Sequence, residues 1–185
     1  MGKLKVSTFL TLDGVMQAPG DASEFERGGW QLQFFDDDAG AIAKEGLFAA
    51  DALLLGRVTY EHFAAAWPGM TDEEGFAERM NSMPKFVAST TLAEAEWNAT
   101  VIRDPSTEVP AQRQQHDLLV MGSGRLVRGL REHDLVDEYE IWIHPILLGA
   151  GKRLFEESAE PTMLALTRRE TTGRGVTVLT YEVGR

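Results

Sequence analysis

The chain has 185 residues, enough to bury a sizeable core in one domain, and its 43% hydrophobic and 25% charged residues are ordinary for a globular protein. It contains no cysteine, which excludes disulfides, iron–sulfur clusters and thiolate zinc sites. The net charge of −11 argues against a nucleic-acid partner and requires any anionic ligand to be met locally, by placed arginines, backbone amides or helix N-termini.

Residues 3–11 alternate as a strand, with Val6, Thr8 and Leu10 on one face and Lys5, Ser7 and Phe9 on the other. The opening MGKLKVSTFL enters this strand with neither a long apolar core nor a cleavage site, so a cytoplasmic protein with no membrane association is expected. Residues 12–35 form a long loop punctuated by Gly14, Pro19, Gly20, Gly28 and Gly29. It carries Trp30, Phe34 and Phe35, and loops of this length are commonly functional.

Residues 36–50 form a helix, with Ala39, Ile42, Ala43, Leu47 and Ala50 as its apolar stripe and Asp36, Asp37 and Asp38 at its dipole-favoured start. Residues 52–55 are a continuous apolar run, the mark of a strand buried on both faces. It ends at Gly56-Arg57, and Thr59 is the expected N-cap of the next helix. A further helix is expected from Thr71, where Glu74 completes a capping-box pattern. Strands follow over 85–89, ending in Ser89-Thr90-Thr91, and over 100–103.

Residues 105–116 are weakly helical at best, because Pro110 interrupts them. A strand over 117–121 then leads through Gly122-Ser123-Gly124 into a helix over 125–133. The chain ends β-rich, with strands over 139–144, 162–171 and 176–183. The last two are joined by Gly173-Arg174-Gly175 in a hairpin-type connection, and the run 156–160 reads as solvated surface. Nothing divides the chain, so one α/β domain over 1–185 is expected, with a mostly parallel central sheet, antiparallel C-terminal edge strands and flanking helices. Trp142 is expected to face outward from the 139–144 strand and to help form a homodimer interface.

Ligands in open α/β sheets gather at the carboxyl ends of the strands. Three such ends hold small, hydroxyl or cationic residues: Gly56-Arg57-Val58-Thr59, Ser89-Thr90 and Gly122-Ser123-Gly124-Arg125-Leu126. The third lets backbone approach a ligand closely and offers helix-start amides to a diphosphate, although a tight β-α turn alone would use the same residues. Arg57 can fork onto a phosphate or pair with Glu61 on its own helix. Ser89 and Thr90 can donate hydroxyls to the same phosphate or only form a turn.

Taken together, Gly-Arg-x-Thr-Tyr at 56–60, Ser-Thr at 89–90 and Gly-Ser-Gly at 122–124 resemble the nucleotide-binding elements of dihydrofolate reductase. Leu12-Asp13-Gly14, Leu135-Val136-Asp137-Glu138 and His144-Pro145-Ile146-Leu147-Leu148-Gly149-x-Gly151 look still more like the reductase domain of bacterial riboflavin biosynthesis and its stand-alone relatives. The resemblance runs from Lys3 to Val183. It implies a dihydrofolate-reductase-like fold and an NADPH-dependent reductase of a small heterocyclic, pyrimidine- or pteridine-like, or carbonyl-type compound. In that reading Gly56, Arg57 and Thr59, Ser89 and Thr90, and Gly122, Ser123, Gly124, Arg125 and Leu126 line the cofactor site. Arg57 with Ser89 or Thr90 holds the 2′-phosphate.

The position matching the single helical acid of folate reductases is Gly40, and the nearby Asp36, Asp37 and Asp38 read as helix caps. This departure turns attention to Asp13 as the candidate catalytic or substrate-side acid, with Trp30, Phe34 and Trp67 as walls for a flat ring. It also leaves open a second reading, a non-catalytic NADPH- or ligand-binding sensor on the same fold. The four histidines show no metal-ligand spacing, and His144, before a proline at a strand end, reads as structural.

Overall fold

Alternation in the first strand carries through to the three-dimensional structure, a computed structural model that describes residues 1–155 and 161–184. In β1 (Leu4–Thr11), Leu4, Val6, Thr8 and Leu10 are buried on one face, while Lys5, Ser7 and Phe9 face the other. The elements that follow are α1 (Asp37–Ala49), β2 (Ala52–Gly56), α2 (Arg57–Ala66), α3 (Phe76–Ser82), β3 (Lys85–Ala88), β4 (Ala99–Ile102) and α4 (Pro105–Gln112). Then come β5 (Leu118–Met121), α5 (Gly124–Glu132), β6 (Glu138–His144), β7 (Leu164–Thr171) and β8 (Thr177–Val183). The run 156–160 lies outside the described residues.

The strands form one eight-stranded sheet in the order β4-β3-β2-β5-β1-β6-β8-β7. The first six in that order are mutually parallel, and β8 runs against β6 and β7. This is the mostly parallel sheet with antiparallel pairing at its C-terminal edge that the element order predicts. β2 is buried at all five positions, as its unbroken apolar run requires.

Helices cover both faces. Leu126, Val127 and Leu130 of α5 join Leu4, Val6, Leu54, Leu118 and Val120 in one core. Leu47 of α1, Tyr60 of α2 and Met80 of α3 pack with Leu53, Leu55, Val87 and Leu119 in another. β2 and β5 are neighbours, yet the helices that leave them go to opposite faces. The gap between their carboxyl ends is therefore a topological switch point, the place where open α/β sheets form a crevice.

Local structure departs from the sequence reading at four places. The α2 N-cap is Gly56 rather than Thr59, because β2 feeds into the helix without a loop and Thr59 falls inside the first turn. The capping box at Thr71 does not form. Asp72 accepts from the amides of Glu74, Phe76 and Ala77, and Gly75 at φ +77° delays α3 until Phe76. α4 is a regular helix despite Pro110, because Asp104 caps it and Pro105 occupies a first-turn position where no amide is needed. Trp142 is only 3% exposed. It packs against Phe9 and against the α1 residues Ala39, Ile42 and Ala43, so β6 is an interior strand and offers no interface.

Candidate cofactor and substrate site

The switch-point crevice is built from close approach. β2 ends at Gly56, and a β-carbon there would run into the side chain of Ser123. Gly122 (φ +72°) and Ser123 (φ +67°) are both left-handed, a conformation disfavoured for a serine, and together they turn β5 abruptly into α5. Thr59 Oγ1 donates to Ser123 Oγ at 3.4 Å, joining the first turns of α2 and α5. The first α-helical bond of α5 runs from Val127 N to Ser123 O, which leaves the amides of Gly124, Arg125 and Leu126 without intrahelical partners. The Leu126 side chain is core, so only its amide faces this role, and Arg125 is exposed. Met16 covers the turn, its Sδ 2.7 Å from where a Gly124 β-carbon would stand.

Arg57 occupies the first turn of α2 at the crevice mouth, half-exposed, and Nη1 donates to both carboxylate oxygens of Glu61 at 2.9 and 2.8 Å. Both roles considered for it thus start from one position, with Glu61 as its resident partner. Ser89 lies beyond the end of β3, where its hydroxyl oxygen accepts from the amides of Thr91 and Leu92 at 3.2 and 3.0 Å. Thr90 beside it is exposed. Arg103, absent from the sequence reading, braces this turn by donating to Ser89 O at 2.8 Å. It sits beyond a four-residue edge strand and carries no motif of its own.

On the other side of β1, Asp13 is fully engaged. It accepts from Thr11 Oγ1 at 2.6 Å, Leu148 N at 3.2 Å and Gly149 N at 2.7 Å. The Thr11 hydroxyl and the Gly149 amide pull its carboxyl down to about 2, which keeps it ionised, and its oxygens hold the turn at Leu148 and Gly149. Gly151 (φ +135°) lets that segment pass Val15, whose Cγ1 would lie 2.5 Å from a β-carbon. Asp137, from the motif after α5, is likewise structural, accepting from Leu4 N and from Arg113.

Trp30 and Phe34 come together with His144, their rings edge-on to its imidazole at 5.0 and 5.7 Å. Trp67 does not join them. It lies at the far end of α2, stacks on Phe76 at 5.5 Å and belongs to the core under α2 and α3. Asp36 caps α1 through Ala39 N and also accepts from Arg174 N, while Asp38 accepts from Gly173 N. The acids nearest Gly40 therefore tether the β7–β8 turn.

Two surface grooves lie elsewhere. One, of about 670 Å³, is lined by Ala41, Lys44, Glu45, Phe48, Glu73 and Glu74. The other, of about 500 Å³, is lined by residues between Met70 and Ser82, including Asp72 and Glu78. Each carries more acidic than basic side chains, which disfavours an anionic cofactor, whereas the strand ends gather two helix N-termini and arginines. Among the described residues no helix is long and apolar enough to cross a membrane.

Similar architecture occurs in solved structures. A Shewanella sp. PV-4 protein assigned to riboflavin biosynthesis superposes with a TM-score of 0.76 at 22% identity, over 99% of each chain. The Thermotoga maritima diaminohydroxyphosphoribosylaminopyrimidine deaminase/5-amino-6-(5-phosphoribosylamino)uracil reductase gives 0.66 at 13% identity, over 99% of this chain and 57% of that one. Schistosoma mansoni dihydrofolate reductase gives 0.63 at 13%, over the whole of both, so the fold is dihydrofolate-reductase-like. Residues 3–178 match the RibD C-terminal domain, and the chain belongs to that family.

Proposed function

We propose that this protein is an NADPH-dependent reductase of a small heterocyclic, pyrimidine- or pteridine-like, or carbonyl-type compound. The observation that carries the reading is the convergence of the α2 and α5 N-termini on the crevice between β2 and β5, with Gly56, Thr59, Gly122 and Ser123 lining it. The residues fit a dinucleotide. Free amides of Gly124 to Leu126 and the Thr59 and Ser123 hydroxyls suit a diphosphate, and Arg57 beside exposed Thr90 suits a 2′-phosphate. Bound nicotinamide supplies the hydride. The chain would bind and orient it, with Met16 covering the turn at Gly124 and Trp30 and Phe34 as walls for the substrate. Asp13 acts here as a positioning residue, holding the turn at Leu148 and Gly149.

Titration of the four tryptophans' fluorescence with NADPH and with NADH tests the reading. Saturable binding that prefers NADPH, weakened roughly tenfold or more in Arg57→Ala, is expected. Absence of binding by either nucleotide overturns it. Tight NADPH binding with no oxidation across a broad substrate panel would favour the non-catalytic sensor instead.

A homodimer belongs to the same proposal, but through β7 rather than β6. β7 is an edge strand exposed along nearly all its length, with Leu164 and Leu166 at its apolar end, and a second copy adding to that edge would cover them. A monomeric mass by light scattering overturns this.

A further inference from the structure

Tyr60 closes the Gly-Arg-x-Thr-Tyr run at 56–60, yet its ring belongs to the core under α2 and α3 and not to the crevice. It is 6% exposed, and its hydroxyl is committed twice to one distant residue. It donates to Glu96 O at 3.1 Å and accepts from Glu96 N at 2.8 Å. Both partners are backbone groups, so the tie fixes the course of the chain at Glu96 whatever its side chain does.

What is tied is the loop that carries Ser89 and Thr90. Residues 89–98 form neither helix nor strand between β3 and β4. Gly56 is in register with Ala88, so Arg57 and Ser89 leave neighbouring strands at the same level. The gap between the Arg57 guanidinium and Thr90 therefore depends on how this loop is held against α2. Leu92, Ala95 and Trp97 rest on the core under α2 and α3, but apolar contact is non-directional and does not set the height of the loop. Arg103 braces the near end, donating to Ser89 O and Ala93 O. At the far end Trp97 (φ +57°) and Asn98 (φ +54°) are both left-handed, a costly conformation that lasts only where neighbours impose it. Trp97 Nε1 donates to Asn81 Oδ1 at 2.8 Å on the α3 side, and Tyr60 holds Glu96 on the α2 side. Arg57 and Tyr60 lie one turn apart on α2, so the hydroxyl refers the loop to the turn that carries the guanidinium.

We propose that Tyr60 is a positioning residue for nucleotide selection. By tying Glu96 to α2, its hydroxyl sets the Ser89-Thr90 loop at the distance from Arg57 at which one 2′-phosphate meets both. This rests on the reductase reading and adds a specificity-determining residue that itself touches no nucleotide.

The full chain is titrated with NADPH and with NADH. Tyr60→Phe keeps the ring in the core and removes only the hydroxyl. It is expected to weaken NADPH about tenfold and NADH by less than about twofold. A merely structural loss would weaken both alike, because it removes folded protein without regard to the phosphate. In an Arg57→Ala background the same change is expected to have little further effect on NADPH, since the loop then has no guanidinium to be set against. Amide exchange at Glu96 gives a second readout from the wild type alone. It is expected to slow on saturation with NADPH but not with NADH, because a 2′-phosphate held from both sides tightens the tie. Equal weakening of both nucleotides, an undiminished effect in the Arg57→Ala background, or Glu96 exchange indifferent to the phosphate overturns the proposal. The wild-type exchange decides the matter if Tyr60→Phe folds poorly. Binding of neither nucleotide by the wild type is a separate result, which removes the reductase reading itself and this inference with it.

Discussion

Gly56 and Ser123 are so closely apposed that a β-carbon on Gly56 would stand 1.9 Å from Ser123 Oγ and 2.8 Å from its Cβ. The backbone of Gly56 is otherwise permissive, at φ −78° and ψ 157°, so the glycine is required by space and not by conformation. Gly56→Ala is expected to lower stability by about 1–3 kcal/mol, read from denaturant midpoints, and to weaken NADPH by pushing the α5 turn aside. Adding Ser123→Gly should recover most of both losses. A double variant no better than Gly56→Ala would mean that the clash lies elsewhere.

Glu61 competes with the proposed 2′-phosphate for the Arg57 guanidinium. Glu61→Gln removes the resident anion, so NADPH affinity should rise several-fold in nucleotide titrations while NADH changes little. The pair is half-exposed, and stability should stay within about 0.5 kcal/mol of the wild type. Weaker NADPH binding in Glu61→Gln would show that the acid orients Arg57 instead of competing for it.

Asp13 is held to about 2 by the Thr11 hydroxyl and the Gly149 and Leu148 amides, below its ordinary 3.8. Its contribution to stability is therefore complete above the ordinary value and lost as pH falls through the folded one. The stability difference between wild type and Asp13→Asn should shrink as pH is lowered from about 5 toward 2. A difference independent of pH would mean that the ionised form does not matter.

How far local pattern reaches can be seen by comparing particular residues. The unbroken run Ala52 to Leu55 can only be a strand covered on both faces, and it is one. The three strand-end motifs can be read individually because small residues and hydroxyls mark a turn at each. Their convergence cannot, because Gly56 meets Ser123 only through the β2–β5 pairing. Thr59 is not the cap because β2 runs into α2 at Gly56 with no loop between them, whereas Trp142 turns inward because its deciding neighbour, α1, is distant in sequence. Arg103 has no local signature at all, since it gains its role from the Ser89 carbonyl on another segment.

Lys85 is 1% exposed, donates to Met83 O at 2.8 Å and lies 4.0 Å above the Trp97 ring. Burial lowers its pKa from 10.5 to about 8. Between those values the unfolded chain holds a proton that the folded chain releases, so stability rises with pH through this window. The carbonyl and the ring offset part of the desolvation, and relative to Lys85→Met the wild type should gain roughly 2 kcal/mol from pH 8 to 10.5. A flat difference would mean that these partners hold the ammonium fully.

Trp67 tests the boundary of the site. Trp67→Ala should cost about 2–3 kcal/mol, because it removes packing against Phe76 at a half-buried position, yet leave nucleotide and heterocycle binding unchanged. Altered binding at full folding would bring this residue back to the ligand.

The strand order also bears on how the chain reaches its native state. β1, made first, pairs with β5 and β6, which are made more than a hundred residues later, as the register Leu4↔Leu118 and Lys5↔Glu138 makes plain. A nascent β1 thus leaves the ribosome with both edges bare and stays so until most of the chain is synthesised. Closing the centre of the sheet is a late, long-range event, which favours slow refolding over local zippering. During that wait, Leu4, Val6 and Leu10 form the segment a chaperone would have most reason to cover.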